Sequence, residues 1–204
     1  GIQAETLEGY LFPDTYKFIR TIGEKNIIRS MVQRFNDVYG EEFKKREKEL
    51  NLSQREVIIL ASLIEKEVAC PQERPLISAV FHNRLKLHMP LQCDPTVIFG
   101  IKDFNGNLTK EDLKMRTPYN TYLICGLPPT PIANPGLDSI KAALYPADTN
   151  YLFFVSRNDG THCFSSTLAE HNQAVNTYQR TNQEDYLPEQ VSSFSGAVRQ
   201  KNRP

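Results

Sequence analysis

The chain has 204 residues, and its 24 Lys and Arg balance 24 Asp and Glu, so the formal net charge is zero. This balance argues against nucleic acid or an anionic membrane surface as the main partner, because either would favour a basic excess. The length suits one domain, or one domain with an extension. The sequence has no signal peptide and no apolar run long enough to span a membrane. Because it begins with Gly1 instead of methionine, we expect it to be part of a longer protein.

The first half of the chain predicts four helices after an aromatic, turn-rich segment. In that segment, short strands are predicted on either side of Pro13. Apolar residues at helical spacing predict helices over 24–39, 54–70 and 73–87. The highly charged stretch over 41–50 is predicted to continue as helix. The helix over 54–70 begins at a capping box, Ser53 with Glu56. It ends at Cys70, because the residue before Pro71 is pushed out of helical geometry.

The second half predicts shorter elements. A short helix follows the loop at 89–94, and Thr109 with Asp112 predicts a further helix start. Four prolines between 126 and 136 predict a stiff surface loop. Further predicted elements are a helix over 139–144, a hairpin over 151–164 with its turn at 158–160, and a helix over 168–178. The pattern predicts an α+β fold, helix-dominated with a small antiparallel β-hairpin, as one domain over 1–187 with a poorly ordered polar tail over 188–204.

Two glutamates, Glu65 and Glu67, lie near the end of the apolar third helix. A carboxyl group placed in apolar surroundings has a raised pKa and can donate a proton near neutral pH. The two side chains diverge by about 200° around the helix, so they cannot form a paired acid and nucleophile. Glu67 shares the apolar stripe, which predicts one carboxylate in a cleft and the other in a structural contact, such as an ion pair with Arg74 or Arg84. The alternative is that both lie on the wet side of an amphipathic helix.

Other polar residues are weaker candidates by themselves. The polar cluster at 82–84 is more typical of a helix surface than of a site. Tyrosines beside the proline loop suit sugar stacking, or else pack on the core with wet hydroxyls. The candidates for contacts that support the acid or bind substrate are Asn83, Arg84, Gln92, Asp94, Thr96, Tyr119, Asn120 and Tyr122. His162 and His171 have no serine or cysteine partner at a suitable spacing, so a hydrolase triad is unsupported.

The four cysteines are widely and unevenly spaced. Their spacing predicts no metal site, and neither a zinc motif nor a compact disulfide scaffold is present. We expect buried free thiols, with one or two disulfides left open as an alternative. The residues concerned are Cys70, Cys93, Cys125 and Cys163.

Several motifs in order resemble one known family. They are Tyr10-Leu-Phe-Pro-Asp-Thr-Tyr16, Ala61-Ser-Leu-Ile-Glu-Lys-Glu67, Glu73-Arg74, Val80-Phe-His-Asn-Arg-Leu85, Leu91-Gln-Cys-Asp-Pro-Thr-Val97, Tyr119-Asn-Thr-Tyr122, Gly126-Leu-Pro-Pro129, Ile132-Ala-Asn-Pro-Gly136 and Ser139-Ile-Lys-Ala-Ala143. Over roughly residues 5 to 180 the chain resembles the YceG-like endolytic murein transglycosylases, or MltG. The resemblance implies a lysozyme-like catalytic domain that acts without a cofactor. In the family one glutamate of the Glu-Lys-Glu motif is essential, which implies Glu67. Because Val68 follows where related enzymes often carry a small hydroxyl residue, Glu65 stays open as the alternative.

The resemblance also implies a place and a substrate. The family enzymes are bacterial and are anchored by an N-terminal transmembrane helix, with the catalytic part in the periplasm or extracytoplasmic space. They cleave the β-1,4 bond between N-acetylmuramic acid and N-acetylglucosamine within nascent peptidoglycan strands, leave 1,6-anhydro ends and consume no water. Penicillin-binding proteins and other wall synthases are the implied partners, and we expect the anchor to lie outside this chain.

Two other classes of function compete with this expectation. A non-catalytic glycan-binding or scaffold module would keep the same groove for wall-synthesis partners. A pyridoxal-phosphate lyase, an activity once associated with the family, would need a Schiff-base lysine and a phosphate cup. No lysine in the sequence has a recognisable setting for that chemistry.

Overall fold

The computed structural model describes residues 6–180. Within that part, the regular structure is mainly helical with one two-stranded antiparallel sheet. The elements are α1 (Glu24–Val38), α2 (Glu41–Glu49), α3 (Gln54–Glu67), α4 (Arg74–Lys86), α5 (Asp94–Phe99), α6 (Leu137–Leu144), β1 (Phe153–Ser156), β2 (His162–Ser165) and α7 (Leu168–Val175). The predicted helix-dominated α+β class is confirmed. The predicted domain end at 187 and the predicted tail over 188–204 lie outside the described residues.

Helix α3 runs through the centre of the protein. Its residues from Val57 to Ile64 are all buried, and it packs against α2, α4, α5 and α6. A helix that is apolar on every side is stable only when other elements surround it. The predicted capping box forms, because the Ser53 hydroxyl accepts from the Glu56 N–H and the Glu56 carboxylate accepts from the Ser53 N–H at 2.8 Å.

Helix α3 ends at Glu67, earlier than the predicted end at Cys70. Val68 is already extended, with φ −79° and ψ 115°. A proline restricts only the residue directly before it, and here the chain leaves helical geometry sooner as it turns toward α4. Glu67 therefore lies at the C-terminal end of the helix, where unpaired carbonyl groups create a negative potential.

The proline-rich segment over 126–136 is irregular, as predicted, but it is packed into the protein and not laid over its surface. Pro131 and Ile132 are buried, and the Ile132 N–H donates to the Ser62 hydroxyl of α3 at 3.0 Å. The prediction of a surface loop is wrong, because prolines remove backbone donors and so let a segment be buried with few unpaired groups.

The segment before α1 forms turns and extended coil, and the strands predicted around Pro13 do not form. The backbone N–H groups of this segment bond to a side chain instead of to a neighbouring strand. The Asn134 side-chain oxygen, in the proline-rich segment, accepts from the Gly9 N–H at 2.8 Å and from the Leu11 N–H at 3.0 Å. Gly9 has φ +89°, and a Cβ there would lie 2.5 Å from Pro131 Cγ. Only glycine allows the two segments to approach so closely.

The predicted hairpin is confirmed. Strands β1 and β2 pair in antiparallel register from Phe153 opposite Ser165 to Ser156 opposite His162. Helix α7 packs against both strands and ends at Val175, where a π-helical turn over 176–180 takes the place of the predicted α-helical end.

The helix predicted to begin at Thr109 is only a single 3₁₀ turn, Asp112–Lys114. The cap itself is present, because the Asp112 carboxylate accepts from both the Thr109 N–H and its hydroxyl. No apolar stripe follows the cap, so nothing packs a longer helix against the core. None of the helices over 6–180 combines the length and the apolar character needed to cross a membrane.

All four cysteines lie in the described part of the chain, and all are free. The prediction of buried thiols holds only for Cys93. Cys125 is exposed, because it lies in the loop before the proline-rich segment, and the other two are half-buried.

Candidate active site

A polar cleft opens at the C-terminal end of α3. It has a volume of about 320 Å³ and lies between α4, the loop before α5, the loop after Tyr119, strand β1 and helix α7. Its lining residues are Glu67, Arg84, Leu91, Gln92, Asp94, Tyr122, Phe154 and His171. We refer to it below as the Glu67 cleft. Six of the eight lining residues carry side chains that can form hydrogen bonds or ionise, which suits a carbohydrate substrate.

A second depression, of about 460 Å³, lies between the turn at Pro71–Glu73 and α6. It is wider and mostly apolar, and Asp138 is its sole acidic lining residue. Asp138 is exposed to solvent there, whereas the Glu67 carboxyl group is half-buried in the other cleft. The smaller Glu67 cleft is therefore the better candidate for a catalytic site.

Glu67 is half-buried at the floor of this cleft, and its pKa is raised to about 7. Burial is the main cause, because loss of hydration disfavours the charged carboxylate. The nearby negative charge of Asp94 raises the pKa further, while a hydrogen bond from the Cys93 thiol and the charge of His162 lower it. A carboxyl group with this pKa is present in both its acid and its base form near neutral pH, as general acid–base catalysis requires.

Glu65 faces a different direction and takes no part in the cleft. Its carboxylate accepts a hydrogen bond from the Gly136 N–H at 3.2 Å, at the start of α6. The predicted ion pairs with Arg74 or Arg84 do not form within residues 6–180. Arg74 donates to the Ser139 hydroxyl, and Arg84 lines the Glu67 cleft, in which Glu65 takes no part. The alternative in which both glutamates lie on the wet side of the helix is wrong, since both are half-buried.

Arg84 holds one wall of the cleft together. The side chain is only 6% exposed, so the prediction of a surface cluster at 82–84 is wrong for this residue. Its Nε donates to Leu152 O at 2.6 Å, and its Nη1 donates to the carbonyls of Pro90 and Leu91 and to Gln92 Oε1. These bonds tie α4 to the loop before α5 and to the chain entering β1.

Gln92 and Asp94 line the cleft, Gln92 from the loop before α5 and Asp94 as the first residue of that helix. Gln92 has φ +54°, a left-handed conformation that its N–H stabilises by donating to Thr121 O at 3.0 Å. The Tyr122 hydroxyl donates to Asp94 Oδ1 at 2.5 Å. Burial and this contact with Asp94 raise the pKa of Tyr122, so its hydroxyl stays protonated.

Thr96 supports this loop from beneath and does not reach the cleft. Its buried hydroxyl donates to Cys93 O at 2.7 Å and shares a 2.8 Å hydrogen bond with the Thr121 hydroxyl, which also accepts from the Cys93 N–H. This network fixes the position of the Cys93 thiol beside Glu67. Thr96 therefore acts on the site through Cys93.

Two further predicted residues, Asn83 and Tyr119, lie outside the cleft. Asn83 donates to the carbonyls of Thr149 and Tyr151, so it fixes the connection between α6 and β1. The Tyr119 hydroxyl hydrogen-bonds to Thr130, and its ring packs edge-on against Phe99. Of the predicted tyrosine contacts, only Tyr122 reaches the cleft.

Asn120 is completely buried and crosslinks its own loop. Its amide donates to the carbonyls of Leu113 and Met115, and its oxygen accepts from the Tyr122 N–H at 3.0 Å. It positions Tyr122, and it does not contact the cleft itself.

We expect Asn120→Ala to lower the free energy of unfolding by about 2 kcal/mol, because it leaves two carbonyl groups and one N–H without partners. Denaturant unfolding monitored by circular dichroism measures this. The matched control is Tyr119→Phe, which removes one half-buried hydroxyl and is expected to cost about 1 kcal/mol or less. Equal stabilities of Asn120→Ala and the parent would contradict the structural role.

Glu73, in the 3₁₀ turn directly before α4, attaches the hairpin to the helical part of the protein. Its carboxylate accepts from the His162 backbone N–H at 3.0 Å and pairs with His162 Nδ1 at 2.7 Å. Both side chains are nearly buried. This double contact places the charge of His162 where it lowers the pKa of Glu67.

Residues 2–177 match the profile of the YceG-like family. The chain belongs to the YceG-like family. The match covers nearly all of the part of the chain that the structure describes.

This YceG-like chain is 43% identical over 173 residues to a protein named endolytic murein transglycosylase from Bacillus subtilis (strain 168), covering 84% of the chain and 48% of that protein. It is 32% identical over 178 residues to a protein of the same name from Streptococcus pneumoniae (strain ATCC BAA-255 / R6), covering 83% of the chain and 32% of that protein. A 2.6 Å crystal structure of a yceG-like protein from Listeria monocytogenes has a TM-score of 0.73 at 40% identity, over 82% of this chain and 54% of that one. The chain thus spans about half of these proteins or less.

Four residues of the YceG-like site were not among the predicted candidates. Leu91 and Phe154 line the cleft but have the sequence pattern of core residues, and Cys93 was expected only as a free thiol. His171 also lines the cleft, although the sequence offered only the absence of a triad partner for it. A search for polar residues could have found His171, whereas the approach of Cys93 to Glu67 depends on tertiary structure alone.

Proposed function

We propose that this chain is the catalytic part of an endolytic peptidoglycan lytic transglycosylase. Its substrate is the β-1,4 bond between N-acetylmuramic acid and N-acetylglucosamine in nascent glycan strands, and its product ends are 1,6-anhydro-muramic. The observation that carries the proposal is Glu67, a carboxyl group in a polar cleft with a pKa raised to about 7. The family membership and the names of the similar proteins support the substrate class.

In the first step, protonated Glu67 donates its proton to the glycosidic oxygen. The bond between that oxygen and the anomeric carbon breaks, and the anomeric centre becomes oxocarbenium-like. In the second step, the Glu67 carboxylate removes the proton from the C6 hydroxyl of the same muramic unit. The C6 oxygen forms a bond to the anomeric carbon, so the acid form of Glu67 is restored and no water is consumed.

Asp94 is the second carboxylate that lines the cleft. Its bond from Tyr122 fixes its direction, and its negative charge favours the protonated form of Glu67. The same charge stabilises a positively charged oxocarbenium-like centre through space. We therefore assign Asp94 an electrostatic role, with Arg84, Gln92 and Tyr122 as the groups that contact the sugar.

The similar proteins are named for an activity on murein, which lies outside the cytoplasmic membrane, so the proposed place of action is extracytoplasmic. Anchoring by a transmembrane helix outside this chain and partnership with penicillin-binding proteins or other wall synthases belong to the same proposal. The supporting observation is that the chain spans only 48% of its relative from Bacillus subtilis, which leaves room for such parts.

Incubation of the purified chain with uncrosslinked peptidoglycan strands tests the proposal. Internal cleavage shortens the mean strand length early in the reaction, before disaccharide products accumulate, and size-exclusion chromatography measures this. A non-catalytic glycan-binding or scaffold module would retain the strands and leave their length distribution unchanged.

A further inference from the structure

The buried Arg84 has no acidic partner within residues 6–180. Its Nε and Nη1 donate to backbone carbonyls and to Gln92. Its second terminal nitrogen, Nη2, donates to no group in the same part of the chain, yet it is not among the enclosed polar atoms that lack a partner. Nη2 therefore faces the Glu67 cleft, and a buried cation there with free donors is arranged for an oxygen acceptor of the ligand.

His171 lines the same cleft as Arg84 and lies close enough for the charge of Arg84 to lower its pKa. The His171 ring stacks on Phe153 with centroids 5.1 Å apart, and the Arg84 guanidinium carbon lies 5.1 Å from the centroid of that same ring. Phe153 thus holds both side chains, and His171 lines the cleft.

The surroundings of His171 determine which ring nitrogen carries the proton. Nδ1 is enclosed and has no hydrogen-bond partner, so a proton there would create a buried donor without an acceptor. Burial and the nearby charge of Arg84 lower the pKa of His171, so the ring is neutral at neutral pH. The single proton therefore lies on Nε2, and Nε2–H is a donor directed to the cleft.

We propose that Arg84 Nη2 and His171 Nε2–H form a two-donor subsite for a carbonyl oxygen on a ring substituent of the glycan. This rests on the proposed function, which supplies the substrate class. Two substituents of the strand carry such an oxygen, the acetamido group and the lactyl group of the muramic unit. A carbonyl held by two donors would fix the rotation of the sugar above Glu67, so His171 is a positioning residue.

Binding is measured by calorimetry in the Glu67→Gln background, where cleavage is expected to be about a thousandfold slower. The probes are a tetrasaccharide of alternating N-acetylglucosamine and N-acetylmuramic acid whose lactyl carboxyl groups are converted to amides, and chitotetraose, which has acetamido groups but no lactyl group. We expect His171→Leu to weaken binding of the muramic tetrasaccharide about three- to tenfold, the loss of one hydrogen bond. We expect His171→Gln, which keeps an N–H donor, to restore binding to within about twofold. The matched control is Asn172→Leu, on the exposed side of the same helix, and we expect it to leave the binding of both probes unchanged.

The two probes separate the two sources of the carbonyl. Equal weakening of both by His171→Leu supports the acetamido group, and weakening of the muramic probe alone supports the lactyl group. Unchanged binding of both probes overturns the subsite. Glycan cleavage by the unmutated chain is measured separately, so its absence counts against the proposed function and not against the subsite.

A second measurement needs no substitution at His171. Nitrogen-15 NMR of the imidazole is recorded in the Glu67→Gln background with and without the muramic tetrasaccharide. We expect the free protein to carry its proton on Nε2, and we expect the Nε2 resonance to move on addition of the sugar. A proton on Nδ1, or an Nε2 resonance that does not respond to the sugar, contradicts the proposal.

Discussion

Replacement of Glu67 by glutamine is expected to lower the rate of glycan cleavage by about a thousandfold or more, because it removes the group that serves as both acid and base. Glutamine has nearly the same shape but cannot transfer a proton. Mass spectrometry of anhydro-muramic ends, released from purified strands over time, measures the rate.

Glu65→Gln is the matched control for this experiment. The substitution is chemically identical and lies two positions away on the same helix, but its side chain bonds to the Gly136 N–H and not to the cleft. We expect it to keep the rate within about threefold, since an amide oxygen can still accept that bond. If Glu65→Gln abolished cleavage while Glu67→Gln remained active, the catalytic role would belong to Glu65.

The raised pKa of Glu67 also predicts a cost in stability. In the unfolded chain this carboxyl group has a pKa of about 4.5, and in the folded protein its pKa is about 7. The folded state therefore holds one more proton between these values, and its stability falls as the pH rises through that range. The loss approaches about 3 kcal/mol above pH 7, from 1.36 kcal/mol per pKa unit. The cleavage rate should also decline above pH 7, as the acid form of Glu67 is lost.

The comparison of the unmutated chain with Glu67→Gln isolates this effect. His82 and His171 have pKa values lowered by burial, so they destabilise the protein at acid pH, but they do so equally in both proteins. Denaturant unfolding at pH 5 and pH 8.5 gives the two free energies of unfolding. We expect Glu67→Gln to gain in relative stability by up to about 3 kcal/mol on going to the higher pH. A difference independent of pH would mean that Glu67 titrates normally.

The position of Glu67 at the end of α3 raises its pKa, which suits catalysis but lowers the stability of the folded protein above that pKa. The centre of α3 is apolar on all sides, and Glu67 is the last helical residue, where the chain turns away. Burial there and the negative potential of the helix end both favour the neutral acid. Cys93 offsets part of this by donating to the carboxylate, so the pKa settles near neutrality instead of far above it.

Local patterns were sufficient to predict much of the framework. The Ser53 capping box, the divergence of Glu65 and Glu67 on one helix, and the turn at 158–160 all depend on residues close in sequence, and the structure contains each of them. Gln92, Asp94 and Tyr122 were predicted from their residue types, and the structure brings them to one cleft.

The remaining features depend on contacts between distant parts of the chain. Asn83 and Asn120 are polar residues of the kind that binds sugars, but buried carbonyl groups from other segments occupy their amides. The proline-rich segment is predicted to be exposed, but it packs on α3. Its Ile132 N–H donates to Ser62 of α3, and its Asn134 side chain accepts from the Gly9 N–H of the N-terminal segment. His171 becomes part of the site because α7 packs on the hairpin, whose Phe153 also contacts Arg84, and no local pattern shows this.

The most direct test of the central claim is the source of the oxygen at the cleaved end. Purified strands are digested by the chain in water enriched in oxygen-18, and the new ends are analysed by mass spectrometry. Attack by the muramic C6 hydroxyl predicts 1,6-anhydro ends without oxygen-18. Reducing ends that carry oxygen-18 would show attack by water, with Asp94 as the second carboxylate of a hydrolase, and would contradict the single-carboxylate mechanism assigned to Glu67.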